Sequence, residues 1–178
     1  EAAYASLRKG VMDYDRRHGY RGAEAYIDMQ DIHSDQAEEL EDALIDYEDS
    51  DDLLAAIVLE ANPKLVRAYL RGGEIVSVSG DGLKFCGRMR DDKAPPNKRL
   101  RRGAVIRLSK TDKKQWQVVQ MPEVEAGFIA ASPIDGAVRA LVGGFDFNRN
   151  KFNHTTQAWR QPGSSFKPFI YSAALEKG

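Results

Sequence analysis

Gln161-Pro162-Gly163-Ser164-Ser165-Phe166-Lys167-Pro168-Phe169-Ile170-Tyr171-Ser172-Ala173-Ala174-Leu175-Glu176-Lys177-Gly178 is the stretch around which the chain is organised. Phe166, Phe169, Ile170, Ala173 and Ala174 recur at i, i+3, i+4, i+7 and i+8, the spacing of one buried helix face. At about 100° per residue, Ser164, Lys167 and Tyr171 fall together on the other side. Pro168 lacks an N–H and its ring crowds the carbonyl four residues back, so the helix has to begin at about Ser164. Gly178 stands where a C-cap belongs. The pattern therefore predicts a hydroxyl and an amine one turn apart at a helix N-terminus, where unpaired N–H groups and the positive dipole end favour an alkoxide. A serine is a weak nucleophile until a base takes its proton, and Lys167 can act so if burial holds it neutral. Ser-x-x-Lys on a helix is a signature of acyl-transferring serine enzymes.

A bare Ser-x-x-Lys arises by chance roughly once in a chain of this size. Ser6-Leu7-Arg8-Lys9, inside a polar helix, reads as such an accident. The bland reading of the second occurrence is a capping serine and a solvated lysine on an ordinary helix. More surrounds it, however. Arg160-Gln161-Pro162-Gly163-Ser164-Ser165-Phe166-Lys167-Pro168 follows Gly143-Gly144-Phe145-Asp146-Phe147 and Phe152-Asn153-His154-Thr155-Thr156-Gln157-Ala158. Together these closely resemble the active-site-serine segment of class A penicillin-binding proteins, over roughly the last fifty residues.

Working back from the serine, Ala126–Ala131 and Ala137–Val142 are small, apolar runs of the kind found in strands covered on both faces. They flank Pro133-Ile134-Asp135-Gly136, where Asp-Gly supports an antiparallel hairpin. A helix docked on that sheet would present Ser164 at its edge. From Leu53 to Val124 the chain breaks into short β segments: Leu53–Ala61, Leu65–Leu70, Glu74–Val78, Leu83–Phe85, Ala104–Leu108 and Gln115–Gln120. Such a run suits a small barrel of the OB type. Arg88–Gly103, with Pro95-Pro96, reads as a long mobile loop.

Nearer the start, Ala3, Leu7, Val11 and Tyr14 have helical spacing up to Gly19. Ser34-Asp35 offers an N-cap to an acidic helix with Leu40, Leu44 and Tyr47 on one stripe, ending near Ser50. Every ionised side chain between Asp31 and Glu60 is acidic, whereas Arg88–Arg102 is predominantly basic. These read as two solvated faces, and the carboxylates as neither metal ligands nor catalytic groups. Asp15-Arg16-Arg17-His18-Gly19-Tyr20-Arg21-Gly22 resembles the linker following the glycosyltransferase domain in penicillin-binding proteins of the 1A type. His18 reads as a helix-end cation.

With 178 residues and a formal net charge of -1, the chain can bury a sizeable core, and its overall charge names no partner. Cys86, the only cysteine, can form no intrachain disulfide and reads as a small buried hydrophobe. No signal peptide or bilayer-length apolar run occurs. Because the chain begins without Met, mid-helix, and stops one helix beyond the serine, it reads as an excised piece.

The expected fold is thus α+β. Linker helices occupy 1–52, an OB-like β domain with its loop at 88–103 occupies 53–123, and the first β-hairpin and active-site helix of a penicillin-binding-protein/serine β-lactamase-like transpeptidase domain occupy 124–178. The resemblance implies a peptidoglycan D,D-transpeptidase in which Ser164 attacks the D-Ala-D-Ala carbonyl of a stem peptide and Lys167 is the general base. It further implies acylation by β-lactams, no cofactor and no metal, a periplasmic place at the bacterial inner membrane through an anchor outside this stretch, and a glycosyltransferase domain also outside it. The later Ser-x-Asn and Lys-Thr-Gly elements of that family do not occur here. The chain alone is accordingly expected to be inactive, with the remainder of the transpeptidase domain as a partner, possible as a second chain. In some family members the OB-like insert receives a regulatory protein, so a non-catalytic interaction module is the alternative reading. Nucleic acid is not expected, since the strands show no interleaved surface aromatics and Trp116 and Phe85 read as core.

Overall fold

The computed structural model describes residues 1–30, 32, 37–91 and 93–178. The chain forms two compact units, Gly10–Val124 and a second made of Glu1–Lys9 with Glu125–Gly178. Helix α1 (Ala2–Arg17) contributes residues to both.

In the larger unit the elements are β1 (Ala25–Tyr26), α2 (Ala37–Ala43), β2 (Leu54–Ala61), β3 (Leu65–Leu70), β4 (Ile75–Ser79), β5 (Ala104–Lys110) and β6 (Trp116–Val119). The strands pair antiparallel in the order β1-β5-β2-β3-β4, with β6 also on β5. Since β2 meets Val105 to Leu108 along one edge of β5, β1 at Ala104–Val105 and β6 at Arg107–Lys110 share its other edge. The curled sheet is the OB-like barrel expected of the β-rich run. One core gathers Ala56, Val58, Val66, Ala68, Val78, Leu83, Ile106, Leu108 and Val118. Ala55, Ile57, Leu59, Tyr69 and Val105 point to the opposite face, where Leu40 and Leu44 cover them. Strand β2 is therefore buried on both faces, which is why Leu53–Leu59 is almost continuously apolar rather than alternating.

Several expectations are corrected here. Leu83–Phe85 is no strand: Gly80–Leu83 form a 3₁₀ turn, with Gly80 at φ +52°. A Cβ on Gly82 would lie 2.2 Å from the Trp116 carbonyl oxygen, so only glycine lets this turn press against β6. The acidic helix ends at Ala43, short of Ser50. Its expected N-cap, Ser34-Asp35, lies outside the described residues. The segment 88–103 carries structure of its own: Gly87–Arg90 form a second 3₁₀ turn, the Leu100 N–H donates to the Met89 carbonyl, and Leu100 is buried in the barrel core.

A polar clasp joins the two ends of this unit. The Arg21 guanidinium donates to Asp15 Oδ1 (2.8 Å) and to the Met121 carbonyl (2.6 Å), and pairs with Glu123 at 3.0 Å. Gln120 Nε2 donates to Asp15 Oδ2 (2.7 Å) and the Gly19 carbonyl (3.0 Å), while Gln120 Oε1 accepts the Arg21 N–H (2.9 Å). Buried Arg107 makes a bidentate pair with Glu24 at 2.8 and 2.9 Å.

The smaller unit contains β7 (Phe128–Ala131), β8 (Val138–Val142) and α3 (Lys167–Lys177). Strands β7 and β8 pair antiparallel with an irregularity at Ala130/Ala131. Neither strand is covered on both faces as expected: Phe128, Ile129, Val138 and Leu141 are exposed. A two-stranded hairpin has no second layer to bury its apolar residues.

Candidate active site

Ser164 sits in a 3₁₀ turn, Gly163–Phe166, that runs directly into α3. The local sequence dictates this break. Gly163 takes φ +52°, turning the chain after Pro162, and Pro168 in the first turn of α3 removes an N–H that an α-helix begun earlier would need. The regular helix therefore starts at Lys167, three residues later than the spacing predicts. Lys167 follows the 3₁₀ turn directly, and its N–H donates to the Ser164 carbonyl, so the two residues stand one turn apart. Both are exposed, and neither is sealed beneath other side chains.

The apolar face read as buried is open. Phe166, Phe169, Ile170 and Leu175 are all exposed, and no residue of α3 is buried. No described layer of the small unit lies over that face. Within it the Phe166 ring packs on Phe169, with centroids 5.7 Å apart.

What leads to the serine is built with more care than spacing alone revealed. The His154 N–H donates to the Gly143 carbonyl (2.7 Å) and Thr155 Oγ1 to the Val142 carbonyl (3.1 Å), tying this passage to the end of β8. Asn153 Oδ1 accepts the N–H groups of Thr155 (2.9 Å) and Thr156 (3.2 Å), and Gln157 Oε1 accepts the Asn153 N–H (2.6 Å). A Cβ on Gly143 would stand 2.7 Å from the Asn153 amide carbon, so the glycine makes room for that side chain. Glu125 accepts the Phe145 N–H (3.3 Å) and lies 3.8 Å from His154 Nε2. Arg8 stacks on the Phe145 ring at 4.1 Å and donates to its carbonyl at 3.2 Å. Arg8 and Glu125 stand outside the blocks that carry the resemblance, whereas Gly143, Phe145 and residues 153–157 stand within them. The Asn-x-Thr-Thr run, a signal for side chain to backbone turns, is what could have exposed their role.

Among the described residues, no three metal-binding side chains converge, and no helix is long and apolar enough to cross a membrane. Residues 20–124 match the family model of the penicillin-binding protein OB-like domain, and residues 126–178 match the penicillin-binding protein transpeptidase domain. The chain belongs to the penicillin-binding proteins. It is 44% identical over 177 residues to penicillin-binding protein 1A of Neisseria flavescens and 38% identical over 184 residues to that of Escherichia coli (strain K12). These alignments take in 99% and 100% of this chain but 22% of each relative. The chain thus spans about a fifth of the length of the curated relatives it matches. The crystal structure of penicillin-binding protein 1A from Haemophilus influenzae superposes with a TM-score of 0.79 at 32% identity, covering 99% of this chain and 25% of the other. In this penicillin-binding protein the OB-like barrel and the opening of the transpeptidase domain are therefore the two described units.

Proposed function

We propose that this chain carries the nucleophile of a peptidoglycan D,D-transpeptidase. The single observation that supports the reading is that Ser164 and Lys167 are both exposed at the head of α3 and joined through the Lys167 N–H to the Ser164 carbonyl. In the reaction, Lys167 takes the Ser164 proton as Oγ attacks the penultimate D-Ala carbonyl of a stem peptide. Backbone N–H groups hold the tetrahedral oxyanion, and its collapse expels the terminal D-Ala. The acyl-enzyme then passes to an amine on a neighbouring stem peptide. β-Lactams acylate the same oxygen and leave slowly. The parent protein acts at the periplasmic face of the inner membrane, and a glycosyltransferase domain elsewhere in it supplies the glycan.

The domain limits proposed are 1–52, 53–123 and 124–178. By itself the chain does not turn over substrate, because it has neither Ser-x-Asn nor Lys-Thr-Gly to flank Lys167 and align a stem peptide. A fluorescent penicillin tests the reading: the parent protein is expected to label at Ser164, the Ser164→Ala parent and the isolated chain not at all. Undiminished labelling of the Ser164→Ala parent would remove Ser164 from the mechanism.

A further inference from the structure

A cleft of about 610 Å³ opens on the barrel unit between β4, the Gly80–Leu83 turn and the β5–β6 hairpin. Its walls carry the hydroxyls of Ser77, Ser79 and Thr111, the amides of Gln115 and Gln117, the ring of Trp116, the cations of Arg16 and Lys114, and the Lys84–Asp81 pair at 2.9 Å. Strands β4 and β6 have each paired one edge only, so the cleft lies along a seam between two edge strands. Ser77 and Ser79 alternate with buried Val76 and Val78, which turns their hydroxyls outward.

The hairpin end carries a second, independent observation. The Lys114 N–H donates to the Thr111 carbonyl (2.8 Å) and the Thr111 N–H to the Gln115 carbonyl (2.9 Å), a type I turn closed by a residue in the left-handed region. That residue is Lys114 at φ +58°, where glycine or asparagine would sit without strain. A long cationic side chain is thus held in a conformation that residues other than glycine adopt uncommonly, on the rim of the cleft. Lys110 Nζ lies 4.5 Å from the centroid of the half-buried Trp116 ring.

Hydroxyls, a planar amide with both donor and acceptor, and an aromatic ring together recognise polyhydroxylated chains: the amide and hydroxyls bond to sugar hydroxyl and acetamido groups, and the ring packs on sugar C–H faces. We infer that this cleft binds a saccharide chain bearing acetamido groups. Its choice of an N-acetylated sugar rests on the peptidoglycan reading above, whereas the polyhydroxyl class rests on the cleft alone.

The experiment uses the full chain with Trp159, which is 99% exposed, replaced by Phe, so that Trp116 is the sole indole. The tetramer of β-1,4-linked N-acetylglucosamine is titrated while indole fluorescence is followed. Saturable binding is expected, weakened about tenfold by Gln115→Ala and by Lys114→Gly. Lys114→Gly should meanwhile hold or raise Tm, because glycine relaxes the turn, so loss of binding there is not loss of fold. Absence of saturable binding, wild-type affinity in both variants, or a matching response to inorganic phosphate that about 0.5 M salt abolishes overturns the inference. The two readings fail separately: a parent protein that labels with penicillin but does not bind the tetramer sinks the cleft alone, while Ser164→Ala leaves tetramer binding unchanged.

Discussion

Two side chains of the barrel make sharp claims about single atoms. Tyr20 packs edge-on to Phe85 with centroids 5.4 Å apart, and its buried hydroxyl has no hydrogen-bond partner among the described residues. Burial accordingly pushes its phenol far above the ordinary range. A lone buried hydroxyl costs about 1–3 kcal/mol of desolvation, so Tyr20→Phe is expected to raise stability by about 1 kcal/mol in urea denaturation. A lower midpoint would show that the oxygen is satisfied after all. Gly82→Ala should act the other way. Its methyl would meet backbone, which cannot swing aside as a side chain tip can, and a loss of roughly 1–3 kcal/mol is expected, with β6 protection falling in hydrogen exchange.

Among the elements, α2 and α3 are opposites. Leu40 and Leu44 of the α2 region are fully buried against β2 and β3, so Leu40→Ala should cost roughly 2–5 kcal/mol in a denaturant titration. Helix α3 has 11 residues and buries none of them. A helix of that length is marginal in water without a packed face, so its amides should exchange within seconds while those of β2 and β5 persist. Slow exchange throughout α3 in the isolated chain would contradict its exposure.

Legibility followed the same division. β2, β3 and β5 could be read closely because each is a dense apolar run bounded by turn residues, such as Asn62-Pro63 and Arg71-Gly72-Gly73. Strand β1 went unread: two residues, Ala25 and Tyr26, carry no periodicity, and their pairing to Ala104 and Val105 is set by sequence far away. Leu83–Phe85 misled because Leu83 is buried as a strand residue would be, while the glycines before it permit the 3₁₀ turn. The heptad-like spacing of α3 named an apolar face correctly but could not say that nothing described covers it. The spacing of Ser164 and Lys167 puts them about one turn apart in either helix type, whereas the Asn153 knot was not legible, since its bonds run side chain to backbone and leave no periodic trace.

At the scale of the whole molecule, alkaline pH is a condition that acts on the barrel. Burial raises the Cys86 thiol to about 11, and burial with the Glu41 hydrogen bond raises the Tyr69 phenol to about 12. Both are neutral when protonated, so the unfolded chain ionises first. Their stabilising contribution is complete below pH 9, the ordinary thiol value, and is lost as pH rises through 9 to 11 and then 10 to 12. For Cys86 the two-unit span corresponds to on the order of 3 kcal/mol. Thermal melts at pH 8 to 11 should therefore fall steadily in the barrel transition, and Cys86→Ala should blunt the early part of the fall. A flat profile would mean that neither group stays protonated in the fold.

The clasp of Asp15, Arg21, Gln120 and Glu123 brings the backbone out of the barrel beside the place where it went in. A body threaded on neighbouring ends is transplantable: excising it and bridging the stumps closes a short gap, with little entropy lost to the new link.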